Sequence, residues 1–163
     1  MNADTSRLRI LGRTTAVLAV LALINGVRLA AGTTTIGTTT VAAHFESDAR
    51  VLIAVAAFGV AAASQVGTRT RSRRMARAAA VAVAGSGAAA LAEVWRCVGH
   101  WHSQAAQTAV ALGYPASAAH NHYGRGIEVV VAGGLIAIAA ALVIAARTRT
   151  PSTRLGLQEQ FPT

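Results

Sequence analysis

Apolar residues fall into four stretches, at 10–31, 49–66, 76–98 and 127–146, with polar or basic segments between them. A membrane-crossing helix needs about 20 mostly apolar residues, and each stretch approaches or exceeds that length. Backbone groups in lipid must pair within their own segment, which rules out open strands. The apolar and polar residues do not alternate as they do in an outer-membrane barrel. The pattern therefore predicts an all-α fold, a four-helix transmembrane bundle over residues 1–150. The polar, two-proline segment 151–163 would follow as a flexible cytoplasmic tail.

The connections differ in character. Residues 67–75 (GTRTRSRRM) form a short basic link. The threonine-rich run Thr33 to Thr40 is β-prone and reads as an extended outer loop. The longest connection, 99–126, would hold a short interfacial helix over 103–112 and a turn at Gly113-Tyr114-Pro115. Trp101, Leu112 and Tyr114 would then form an interfacial belt. The first stretch has a rival reading as a secretory signal, with Arg7, Arg9 and Arg13 ahead of an apolar run. Leu29 would sit at the −3 position of a cleavage site near Ala31, where a small residue is needed. Retention of the first helix is the expectation.

Composition removes other classes. The net charge is +9 and all the basic residues are arginine. A basic chain suggests nucleic acid, but 53% of residues are hydrophobic and only seven are aromatic. That excludes disorder and offers no stacking platform for single strands. A single cysteine, Cys97, excludes a disulfide scaffold. The arginines also sort by position. Both ends and the 67–75 link carry eleven of them against two acids, whereas the other side carries four against four. The positive-inside rule then places both termini in the cytoplasm of a bacterial plasma membrane, an N-in/C-in topology. The lipid bilayer is the expected partner, and nucleic acid is not.

Small residues suggest close helix packing. Ala80, Ala84, Ala88 and Ala92 recur every four residues, as do Gly133, Ala137 and Ala141. Polar residues within the spans are costly, so they usually face the bundle and find partners. Glu93 lies about 7 Å below the outer end of its span. Ser86, Glu93, Arg96, Cys97 and His100 share one helical stripe, and Asn25 and Arg28 form a similar pair. Glu46 and Arg50 are four apart, acid first, as an ion pair prefers. These positions predict an outer polar cluster of Arg28, Glu46, Arg50, Glu93, Arg96 and Glu128. Three roles stay open for it: an ion network that fixes register, a pocket for a small polar or amphipathic ligand, or a proton relay or catalysis.

All five histidines fall on the same outer side: His44, His100, His102, His120 and His122. In extended backbone each His-x-His pair would project to one face. Imidazoles beside a carboxylate suit Zn or Cu, so a metal site and unligated loop histidines both remain open. Cys97 and His100 are too close along one helix to define a catalytic triad. No phosphate loop, dinucleotide fingerprint or HExxH is present.

The acid and arginine entering the second helix (Glu46, Arg50), the arginine ending the third (Arg96), Gly113-Tyr114-Pro115 and the opening Glu128 together resemble an uncharacterised family of small four-helix bacterial membrane proteins. The resemblance spans about Ile10 to Ala146. Between Arg96 and Gly113 the chain departs from it, with histidines where a serine is expected. The resemblance implies topology and the charged cluster, without an activity. The leading expectation is a non-enzymatic binding or accessory subunit that works through the outer polar cluster and the 99–126 loop, with other membrane subunits or a homo-oligomer as its protein partners. A metal- or redox-linked role at the histidines is the alternative. A small transporter ranks last, because the inner half of the spans holds little that is polar beyond Thr14, Thr15, Ser64 and Gln65.

Overall fold

A computed structural model describes residues 3–70 and 72–149, with side chains for 6–70 and 72–148. The expected tail, 151–163, lies outside the described residues. The element order is α1 (Ala3–Gly26), β1 (Gly32–Ile36), β2 (Thr39–Ala43), α2 (Ser47–Arg69), α3 (Arg73–Ala111), β3 (Ala119–Tyr123) and α4 (Arg125–Arg149). Four helices are long and apolar enough to cross a membrane, and α4 is the most apolar, with mean hydropathy 2.8.

The helices run up and down in turn. α4 packs against α1 and α3, and α2 against α3 and α1, so each helix lies beside antiparallel neighbours. Small residues set the spacing. A Cβ on Gly87 of α3 would come within 2.8 Å of the Gly134 carbonyl oxygen of α4. The α3 and α4 backbones therefore touch there, as small-residue interfaces permit. Gly133, Ala137 and Ala141 are all buried, as expected. In α3 the expected ridge drifts: Ala80 is buried, whereas Ala88 and Ala92 are exposed. Four residues turn a helix by about 400°, so a strict four-residue ridge winds off the contact face. Ala76, Ala80, Val83, Gly87, Ala90 and Val94 follow the contact face instead.

Two groups of buried residues fill the bundle. Leu23, Phe45, Ile53, Ala90, Val94 and Val130 fill the half beneath the sheet. Ala16, Ala19, Val60, Val83, Ala137 and Ile144 fill the other half. α1 supplies Ala16, Ala19 and Leu23, each at most 2% exposed, so it is built into the core. The outer surface is apolar as well: Phe58, Val81, Leu142 and Ile10 are 63–75% exposed. Thr14 and Thr15 return their hydroxyls to the carbonyls of Ile10 and Leu11, which keeps them satisfied on an apolar surface.

The structure corrects the expected loops in three ways. First, the fold is not purely helical. The threonine run forms the β1–β2 hairpin, turning at Gly37 with φ +58°, a value that favours glycine. β3 adds on the far side of β1, giving the antiparallel order β2-β1-β3. Second, α1 stops at Gly26, and the chain turns before β1 through bonds from Arg28 N to Asn25 O and from Leu29 N to Gly26 O. Third, the expected interfacial helix over 103–112 is the continuation of α3. At 39 residues, α3 is about 58 Å long, against a hydrocarbon core of about 30 Å. Its last third stands beyond the bundle and carries the sheet. We call this assembly the head.

Candidate functional site

The head is fastened to α3 by a chain of hydrogen bonds. Thr34 in β1 pairs across the sheet with Asn121 in β3. The Thr34 hydroxyl accepts from Trp101 Nε1 at 2.7 Å and donates to Asn121 Oδ1 at 2.7 Å. Asn121 Nδ2 faces His102 Nδ1 at 3.0 Å, and His102 Nε2 faces the Tyr123 hydroxyl at 3.2 Å. An amide N–H₂ can only donate, so His102 Nδ1 accepts and the neutral ring carries its proton on Nε2. The rings of Trp101, His102 and Tyr123 lie about 6 Å apart, tilted or edge-on. Gly32 leaves room for the Trp101 ring, which a Cβ would strike. Tyr114 packs its hydroxyl against Gly37, so the turn after α3 meets the hairpin tip.

Beneath the head lies one buried carboxylate. Glu93 is 8% exposed and takes a two-point ion pair from Arg96, with Nη2 at 2.6 Å and Nε at 3.1 Å from both oxygens. The Cys97 thiol, one turn on, donates to the same carboxylate at 3.7 Å. A carboxylate held this way has its lone pairs engaged. Among the described residues, no buried side-chain nitrogen or oxygen lacks a hydrogen-bond partner.

Two concavities adjoin each other above Glu93. A cavity of about 230 Å³ lies between the end of the hairpin, α3 and the start of α4, with His44, Glu46, Cys97, Trp101 and Gln104 on its wall. A larger groove of about 460 Å³ runs under the hairpin, lined by Ile36, Val41, Ala105, Thr108 and Leu112. Ala43, Trp101 and Gln104 belong to both. The first carries carboxylate, imidazole and amide groups; the second is mostly apolar. Trp101, expected in an interfacial belt, is the wall between them and is partly buried.

The expected six-residue cluster does not form as one unit. Glu93 and Arg96 meet, with Cys97. Glu46 and Arg50 do not pair. Glu46 is the N-cap of α2 in extended backbone, so helical spacing does not carry it over Arg50. Its carboxylate faces His100 Nε2 at 3.4 Å, and Arg50 Nε donates to the Phe45 carbonyl. Arg28 lies past the end of α1, is exposed, and makes no ion pair among the described residues. Glu128 is exposed in the first turn of α4, where an acid suits the positive end of the helix dipole.

The histidines also separate. His100 and His102 are helical, so two residues turn them to opposed faces instead of one. His100 meets Glu46 and Gln104, whereas His102 belongs to the Trp101 chain. His120 and His122 do share one face of β3, the exposed outer face of the sheet. His44 is exposed on the cavity rim. Among the described residues, no three His, Cys, Asp or Glu side chains gather closely enough to hold a metal ion. Thr34, Asn121, Tyr123 and Gln104 were absent from the expected site. Only the Thr-rich run and the His-Asn-His-Tyr alternation hinted at them. No protein-family model matches the chain, and no curated protein matches it.

Proposed function

We propose that the chain is a multi-pass protein of a bacterial plasma membrane with both termini cytoplasmic. In this reading it is a non-enzymatic binding or accessory subunit whose head holds an amphipathic ligand on the outer side. Four apolar helices with exposed apolar surface support the membrane part. So does the clustering of arginine at one end.

One observation carries the binding part: a cavity of about 230 Å³ with Glu46, His44 and Gln104 on an otherwise apolar wall continues past Trp101 into an apolar groove of about 460 Å³. A ligand with a hydrogen-bonding head and a single apolar chain matches both halves. Its head would meet Glu46, His44 and Gln104, and its chain would lie against Val41, Ala105 and Leu112. The groove stands where α3 leaves the bundle, so a single-chain amphiphile can reach it from the bilayer surface.

The test uses Trp101 as the reporter in a Trp95→Phe background. A brominated single-chain ammonium amphiphile should quench its fluorescence saturably, and Ala105→Phe, which fills the groove, should abolish saturation. Quenching that stays linear and ignores the filled groove would overturn the binding reading. A metal at the histidines finds less support: His100 and His102 point to separate surroundings, and among the described residues no three ligating side chains gather.

A further inference from the structure

We propose that Arg9, Arg13 and Arg147 form a binding site for the phosphate of an anionic phospholipid at the end of the bundle opposite the head. The proposal rests on the membrane reading but is independent of the head site.

Three guanidinium groups converge on one residue, Thr68, in the last turn of α2. Arg9 Nε donates to the Thr68 carbonyl at 2.9 Å, and Arg13 Nε donates to its hydroxyl at 3.3 Å. Arg147 Nη1 donates to the same carbonyl at 2.9 Å and to Gly67 O at 3.3 Å, while Nη2 reaches Thr70 O at 3.5 Å. Thr68 is 2% exposed, so its position is fixed by packing. α1 supplies two of the arginines because residues 9 and 13 are one turn apart on one face.

The arrangement leaves charge uncompensated. The carboxyl end of α2 offers about half a negative charge, against three positive ones. Among the described residues no carboxylate pairs with them, and the ion pairs present lie at the head end. Three like charges held this close favour an anion beside them.

The donors left over fit a phosphate. Arg9 and Arg13 each commit only Nε, so the paired Nη1 and Nη2 groups of both remain uncommitted among the described residues. That end-on fork is the one that grips phosphate oxygens two at a time. Arg13 is exposed and Arg9 half-buried, so the forks can be reached from the side of the bundle. Beside them on α1, Ile10 and, one turn beyond Arg13, Val17 are 63% and 55% exposed. This apolar flank suits acyl chains and favours a lipid over a free phosphate ion. Arg69, Arg73, Arg74 and Arg77 share this end, and among the described residues none of them bonds to Thr68.

The experiment uses the full chain in a neutral detergent, titrated with phosphatidylglycerol, phosphatidylcholine or inorganic phosphate. Thermal unfolding and native mass spectrometry provide the readouts. Phosphatidylglycerol should raise the unfolding midpoint saturably and remain bound at one per chain, and the other two should do neither. Arg13→Gln, at an exposed position, and Arg9→Gln/Arg13→Gln should weaken retention by about tenfold or more. Arg73→Gln/Arg74→Gln removes equal charge and should leave retention within about twofold. Equal loss in both pairs means diffuse electrostatics and overturns the proposal. Stabilisation by inorganic phosphate alone, or by phosphatidylcholine as well, overturns the lipid assignment. Displacement of the lipid when 151–163 is present, relieved by deleting that segment, would assign the site to the tail and its Glu159. A chain that stays soluble without detergent would instead defeat the membrane reading itself.

Discussion

The two ends of the bundle solve the problem of polar groups on an apolar scaffold in opposite ways. At the head, charges of both signs and neutral donors satisfy one another through side chains: Arg96 with Glu93, Glu46 with His100, and Trp101 through Thr34 and Asn121 to His102. At the other end, cations of one sign lean on backbone carbonyls at the close of α2. Side-chain pairing is self-contained and can shape a cavity. Carbonyl pairing orients cations without neutralising them, so that end depends on its surroundings. An interior of small residues runs between the two ends and belongs to neither.

The comparison breaks completely if the two ends face the same side. In a Cys97→Ser background, Tyr114→Cys should react with a membrane-impermeant maleimide from outside intact cells, and Arg74→Cys should react only after lysis. The reverse pattern inverts the topology.

A smaller effect separates the ends energetically. Trp101→Ala removes both the ring packing and the first link of the head's chain. It should cost the sheet about 3 kcal/mol of local stability. Hydrogen exchange would speed up in β1 and β3 while α4 stays protected. Uniform loss of protection would show that head and bundle unfold together.

Two near-isosteric changes sharpen the contrast further. Thr34→Val leaves Trp101 Nε1 and Asn121 without their shared partner and should cost about 1–2 kcal/mol. Thr68→Val should cost about 0.5 kcal/mol, because its main-chain carbonyl still accepts from Arg9 and Arg147. Chemical denaturation in detergent, with both variants side by side, checks the order. A larger loss at Thr68 would mean that its hydroxyl, and not the carbonyl, organises the arginines.

Hydropathy made the four helices legible, because each is an unbroken apolar run of about the length that a membrane-crossing helix needs. It misplaced the end of α3 for the same reason. GHWHSQ is polar and reads as a loop, yet helical hydrogen bonds do not require apolar side chains, and the alanines of 105–111 favour helix. The hairpin was half visible in its threonines. Its third strand was not, since a short polar segment pairing 87 residues away leaves little local trace. Helical spacing found Glu93, Arg96 and Cys97 because all three lie inside one helix. It failed for Arg28 and Glu46, which stand just outside the helices whose periodicity was applied to them.

The overshoot of α3 also constrains how the molecule can change in length. Beyond the bundle, each residue of α3 advances the next by about 1.5 Å and turns it by about 100°. Between Val98 and Trp101, an insertion or deletion of one or two residues would turn Trp101 away from Thr34. A change of seven, close to two full turns, would restore its bearing but move it about 10 Å along α3, away from a sheet that short links to α1, α2 and α4 hold in place. The wall that Trp101 forms between the cavity and the groove is thus fixed by both bearing and height on one helix, and that short stretch of α3 is the part of the chain least free to change in length.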